Sequence, residues 1–336
     1  MTADWRCVPV NMRDAWESGM ATFLKEADVE KLVTMKMALE AIEQAFRLQG
    51  EGRTDNAPRR RSRLGDGFLH AMSGSLPSLG LAGLKSYTSL GGKVRFHVLL
   101  YSAPEGELLA VMEGNRLGQM RTGAASGVAT KYMSRPESSR VGIFGTGWIA
   151  QAQILAMCAV RPIKTVVAYS PEQEKREKFC KEMGDILGIS VTPAANPEDA
   201  VKEMDIVITA TNSKEPVFKG EWLEKGTHVN AVGSNHIGRH EIDVETVRRS
   251  ACVVVDSAEQ ARNEAGDLAP AVEAEAFFWE DARELGAVVV GEFPGREDPA
   301  EVTLFESLGI AMEDVALAGK IYAAATKAGI GTPLPF

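Results

Sequence analysis

Arg60, Lys85 and Arg121 are the residues with which this chain could hold a small anionic substrate. Arg60 lies in the run Pro58-Arg59-Arg60-Arg61-Ser62-Arg63, and along a strand it faces opposite to Arg59 and Arg61. Lys85 sits inside the apolar stretch Leu81-Ala82-Gly83-Leu84-Lys85-Ser86-Tyr87, and Arg121 opens a small-residue helix running to Tyr132. Taken singly, each cation reads as a solvated surface charge. Together they suggest a carboxylate pocket, because guanidinium forks pair bidentately with carboxylates and a buried lysine changes its proton affinity.

A second stretch, Arg140 to Ser170, has the residues of a phosphate cradle. An apolar run from Val141 to Phe144 turns at Gly145-Thr146-Gly147 and continues through Trp148, Ile149, Ala150, Ile154, Leu155 and Met157 with helical spacing. A further apolar run, Thr165 to Tyr169, completes a βαβ unit whose turn reads Gly-x-Gly-x-x-Ala. Gly145 permits the tight turn, Gly147 lets a pyrophosphate approach the backbone, and Ala150 lets the helix sit close on the sheet. The first helical N–H groups then face the phosphates. Ser170 stands where an NAD-binding chain carries the acid that bonds the adenine ribose. With Lys175 and Arg176 close by, it favours NADP(H) over NAD(H).

These residues must be positioned by two kinds of architecture. Before Arg121, helical patterns (the second from Thr34 to Leu48) precede strand-like segments at Pro58–Leu64, Phe68–Met72, Ala82–Tyr87, Arg95–Ser102 and Leu108–Met112. Ser73-Gly74-Ser75 is among the breaks, which predicts a mainly antiparallel sheet. After Ser170 helices alternate with strands, including a helix from Pro197 to Lys202, which predicts a doubly wound parallel sheet of α/β class. Ligands lie at the C-terminal strand ends of such sheets, which brings in the loops Ala210-Thr211-Asn212 and Val232-Gly233-Ser234-Asn235. The apolar stripe of the last helix, Met312 to Ala328, reads as core packing.

The 336 residues suffice for about two domains. A formal charge of -9 speaks against a nucleic-acid or anionic-membrane partner. No apolar run reaches the roughly 18 residues that span a bilayer. The N-terminus lacks the apolar core of a signal peptide, and Trp5 and Trp16 could anchor it as an extension. Cys7, Cys158, Cys180 and Cys252 have no metal-type spacing and read as small buried hydrophobes in a reduced cytoplasm, with no metal site expected.

The chain resembles the ornithine cyclodeaminase/mu-crystallin family from about Phe23 onward. The resemblance is carried by Pro58-Arg59-Arg60, Gly83-Leu84-Lys85, Arg121-Thr122, Ala129-Thr130-Lys131-Tyr132, Gly145-Thr146-Gly147, Ala231-Val232-Gly233, Glu264-Ala265-Gly266-Asp267-Leu268 and Phe305-Glu306-Ser307-Leu308-Gly309. It implies that Arg60, Lys85 and Arg121 hold a substrate carboxylate. It also implies that Gly145, Gly147, Ser170, Thr211 and Val232 line a dinucleotide, with Thr122, Thr146, Trp148, Ile149, Asn212, Ser234 and Ser307 beside them. An extension over residues 1–22, a substrate-binding and dimerisation domain over 23–125 with 310–336, and a Rossmann domain over 126–309 are the organisation it implies, in a homodimer.

Two departures bear on the reaction. Cyclodeaminases of this family carry an aspartate where this chain has Asn235, and a glutamate where it has His70. An amide takes no proton, so cyclisation with loss of ammonia lacks its acid/base pair. Hydride transfer to a C=N bond needs only a positioned carboxylate and a proton donor, for which Lys85 or His70 qualifies. Asn235 then serves as an orienter. The expected activity is NAD(P)-dependent interconversion of imino and amino acids. The alternatives are an ammonia lyase and a crystallin-like binding protein without turnover.

Overall fold

The computed structural model describes residues 20–335. Its described residues form two compact units, one up to Arg121 together with the stretch from Ile310, the other Thr122–Gly309. Trp5, Trp16 and Cys7 lie outside the described residues.

The first unit is built on an eight-stranded sheet whose centre is a set of antiparallel neighbours: Gly67–Leu76, Leu81–Leu90, Lys93–Ser102 and Leu108–Glu113. The short strand Thr22–Leu24 joins Leu108–Glu113 in parallel. Along Leu81–Leu90, Leu81, Gly83, Lys85 and Tyr87 are buried while Ala82, Leu84 and Ser86 are half-buried, so one face is covered. The C-terminal helix Ala311–Ala328 covers it. A Cβ on Gly83 would fall 2.7 Å from Val315 Cγ2, and one on Gly74 would fall 2.9 Å from the Met312 nitrogen. The expected break at Ser73-Gly74-Ser75 is therefore corrected: the strand runs through it, and the glycine admits the helix backbone instead of making a turn. Beside that helix packs Met35–Gly50, capped by Thr34 and burying Ala38, Ala41, Ile42, Ala45 and Phe46.

The second unit is an eight-stranded sheet, parallel throughout. Its order is Ser190–Pro193, Thr165–Tyr169, Arg140–Phe144, Ile206–Thr209, His228–Ala231, Val302–Glu306, Ser250–Val255 and Arg283–Glu284. Strands buried on both faces read as near-continuous apolar runs, as Ile206–Thr209 does. Val302–Glu306 is equally buried but carries Thr303 and Glu306, and it is a central strand that the apolar pattern did not announce. The expected helix at Pro197–Lys202 is one 3-10 turn, Pro197–Ala200, closed by an Asn196–Asp199 capping box. The small-residue helix begins earlier than Arg121, at Asn115, and ends at Met133.

No helix among the described residues is long and apolar enough to cross a membrane. Cys158, Cys180 and Cys252 are free thiols; Cys180 is buried, and the other two are half-buried, not fully enclosed as expected. Burial raises the thiol pKa of all three.

Candidate active site

In the first unit Lys85 and Arg121 meet on two acids of the C-terminal helix. Lys85 Nζ donates to Asp314 Oδ1 at 2.9 Å; Arg121 reaches the same oxygen through Nε at 3.2 Å, and Glu313 Oε2 through a terminal nitrogen at 2.9 Å. All four side chains are buried. Burial, then the neighbouring Arg121 charge, lower the Lys85 pKa to about 8, against the opposing pull of Asp314. The ammonium lies 5.0 Å from the centre of the Phe96 ring, and a Cβ on Gly118 would stand 3.6 Å from it. Lys85 is thus a buried amine that changes protonation near neutral pH.

Arg60 does not join this cluster. It is exposed, while Arg59 is buried and its charge acts on both Lys85 and His70. The strand register explains the change. Arg61 pairs with His70, His70 with Tyr87 and Met72 with Lys85, so the odd-numbered arginines share the face of Lys85 and Arg60 takes the other. The structure therefore puts Arg59, and not Arg60 as expected, on the face of Lys85.

His70, the other expected proton donor, is held on the same face. Its Nε2 meets Ser89 Oγ at 2.9 Å and its ring stacks on Tyr87, centroids 4.1 Å apart. Burial and then the Arg61 and Arg59 charges lower its pKa to about 4. That takes a charged imidazole at neutral pH off the list of candidate proton donors, on which Lys85 remains.

The second unit brings the expected dinucleotide residues onto neighbouring strand ends. Ser170 follows Thr165–Tyr169, Gly145 to Gly147 follow Arg140–Phe144, Thr211 follows Ile206–Thr209, Val232 follows His228–Ala231, and Ser307 follows Val302–Glu306. Gly145 has φ +98°, and a Cβ there would lie 2.3 Å from the Ala210 carbonyl oxygen. Gly147 is different: its φ of -91° suits any residue, and a Cβ would have nothing within 4 Å. Neither strain nor protein packing explains that glycine, whereas close approach of a phosphate to the helix Trp148–Val160 does.

Around this cradle, Thr146 Oγ1 donates to Ser170 Oγ at 3.1 Å. Arg176 donates to the Ser170 carbonyl at 2.8 Å, with its guanidinium 5.2 Å from the Tyr169 ring centre. Lys175 is exposed and paired with Glu172. Buried Ser307 Oγ has no hydrogen-bond partner among the described residues. The Thr122 carbonyl accepts from Gln153, and Trp148, Asn212 and Asn235 are exposed while Ile149 is half-buried. Ser234 is corrected in part: its hydroxyl donates to the Arg239 carbonyl at 2.8 Å and shapes its own loop. These residues fit a bound dinucleotide.

The profile of the ornithine cyclodeaminase/mu-crystallin family matches residues 20–329. The chain belongs to that family. It is 36% identical to an alanine dehydrogenase of Archaeoglobus fulgidus over 93% of this chain and 98% of the relative. A Thermococcus litoralis delta(1)-pyrroline-2-carboxylate reductase, solved with NADH and L-proline, is 36% identical, with a TM-score of 0.90 over 93% of this chain and all (100%) of that one. An archaeal alanine dehydrogenase, solved as a dimer with bound NAD, is also 36% identical, with a TM-score of 0.89 over 94% and 99%.

Sequence reasoning missed Glu313, Asp314 and Gly118. The available signal was an acidic pair in the first turn of an otherwise apolar helix, where the macrodipole favours negative charge.

Proposed function

We propose that this chain is an NAD(P)-dependent oxidoreductase that interconverts an α-imino acid, or an α-keto acid plus amine, and the corresponding amino acid. One observation carries the reading: Lys85 is buried and held by Asp314 beside Arg121, an arrangement whose desolvation and cationic neighbour lower its pKa to about 8. Relatives that are an alanine dehydrogenase and a pyrroline-2-carboxylate reductase support it. Arg121 and Arg59 attract the substrate carboxylate. Lys85 gives a proton to the nitrogen of the C=N bond and takes it back in the reverse direction. A reduced nicotinamide cofactor, which the Gly145-Thr146-Gly147 turn and the strand-end loops at Thr211 and Val232 would hold, would supply the hydride for the carbon. A cyclodeaminase is disfavoured because Asn235 neither takes up nor releases a proton at ordinary pH and burial lowers the His70 pKa to about 4. Turnover of reduced cofactor with a panel of cyclic ketimines and keto acid/amine mixtures tests the reading. No oxidation by any of them, with cofactor bound, would sink it.

The cofactor is NADP(H) in preference to NAD(H), since Ser170 and Thr146 present hydroxyls and Arg176 a fixed guanidinium where a 2′-phosphate would lie. Titrating NADPH and NADH against the native chain, Gly147→Ala and Arg176→Ala gives three expected results. The native chain binds NADPH more tightly. Gly147→Ala weakens both without changing the melting temperature. Arg176→Ala weakens NADPH alone, by about tenfold for a lost charge-assisted contact. Equal affinities throughout would remove the cradle.

The protein works as a cytoplasmic homodimer. Supporting this, the open face of the first sheet carries the half-buried row Leu84, Leu99 and Val111. Sedimentation as a species of one 36.2 kDa chain would contradict it.

A further inference from the structure

We infer that Glu241 is a positioning residue that sets the spacing of two cofactor loops in the second unit; this rests on the reading that the unit binds a dinucleotide. The Glu241 side chain is fully buried, and its two oxygens span two strand ends. Oε1 accepts from the Thr211 backbone N–H at 2.6 Å, and Oε2 from the Gly233 N–H at 2.7 Å and from Thr209 Oγ1 at 3.0 Å. Thr211 follows the strand Ile206–Thr209 and Gly233 the adjacent strand His228–Ala231. One carboxylate therefore fixes the distance between neighbouring loops. Gly233 makes room for it, since a Cβ there would lie 2.5 Å from both carboxylate oxygens.

Glu241 is itself held. Its backbone N–H and that of Ile242 both donate to Asp267 Oδ1, within the Glu264-Ala265-Gly266-Asp267-Leu268 motif. Asp267 in turn interacts electrostatically with Glu306, the last residue of the strand that precedes Ser307. Asp256, also buried, accepts from the Leu308 and Gly309 N–H groups at 2.7 and 2.6 Å. Burial first, then repulsion from Asp267, Glu241 and Asp256, raise the Glu306 pKa well above the usual carboxylate range. Burying carboxyl groups costs desolvation that leucines would avoid. What they supply is a set of fixed acceptors for loop N–H groups beyond the strands ending at Thr209, Ala231 and Glu306.

These loops lie away from Ser170, the end that takes the adenine ribose. That separation gives the experiment. In Glu241→Gln one N–H must face an amide NH₂ instead of an oxygen. NADPH is expected to bind this variant about tenfold more weakly, the size of one charged hydrogen bond. Adenosine 2′,5′-bisphosphate, which reaches only the Ser170 end, should bind as it does to the native chain. Glu306→Gln, which keeps the side chain's shape and accepts no hydrogen bond from a cofactor-loop N–H in the native chain, should bind both ligands normally. Native affinity of Glu241→Gln for NADPH, or equal weakening of both ligands, overturns the inference, as does a loss in Glu306→Gln matching that of Glu241→Gln. Should Glu241→Gln fail to fold, Thr209→Val removes only the hydroxyl contact and is expected to show the same split at roughly threefold; no split overturns the inference. If the native chain binds neither NADPH nor the bisphosphate, the dinucleotide reading itself falls, and the inference with it.

Discussion

Lys85→Met is expected to lower kcat by about 10²–10⁴-fold, the usual contribution of a positioned acid/base, while the NADPH dissociation constant stays unchanged. Methionine preserves most of the stem's packing, and Arg121 still neutralises Asp314 at 3.2 Å, so the variant should fold. The direction of the pH dependence follows from the Lys85 pKa of about 8. Reduction of a C=N bond needs the ammonium, so kcat/KM for reduction should fall as pH rises through about 8. Oxidation of the amino acid needs the free amine, so its rate should rise over the same interval. Opposite limbs in the two directions, both absent from Lys85→Met, are the signature. A native profile that is flat around pH 8, or a variant that keeps most of its turnover, would remove Lys85 from the chemistry.

Much of the candidate dinucleotide site was legible because a Rossmann turn is local. Gly145 is demanded by its own φ and by the Ala210 carbonyl, and both follow from a strand-turn-helix written in consecutive residues. The strand-end rule expected Thr211, Val232 and Ser170 at C-terminal strand ends, which is where they lie. The arginine of the first unit was harder. Alternation showed that Arg60 and Arg59 face opposite ways, but the strand Arg60–Leu64 has no apolar residue before Leu64 to mark the inward face. Pairing of Arg61 with His70, set by a hairpin partner, decides it. The acids of the C-terminal helix were harder still. Asp314 lies 229 residues from its lysine, and a periodicity that counts apolar positions treats a buried acid as surface. Val302–Glu306 failed for the same reason, since Thr303 and Glu306 are interior polar groups and the Thr303 partners His228 and Arg296 are brought to it only in three dimensions.

Asp314→Asn should be the most destabilising substitution in the first unit, by about 3–5 kcal/mol, because it removes one partner from a buried charge network and leaves the others. The residue has no exposed surface, and its Oδ1 serves Lys85 and Arg121 together. Asparagine keeps the shape but not the charge, so two cations remain with Glu313. Because Asp314 raises the Lys85 pKa, its loss moves that pKa further below about 8, and the reductive limb of the pH profile shifts to lower pH. The sign for stability follows from linkage. A lysine whose folded pKa is below its ordinary 10.5 holds fewer protons in the folded state, so this group's penalty is fully present at low pH and diminishes as pH rises towards 10.5. The variant should therefore lose most stability at about pH 6 and recover part of the difference near pH 10, as read by urea unfolding. Glu313→Gln, which touches Arg121 but not Lys85, should destabilise without moving the kinetic limb as far. If both substitutions shift the limb equally, Asp314 does not act through its bond to Lys85; if neither does, the titration seen in turnover belongs to another group.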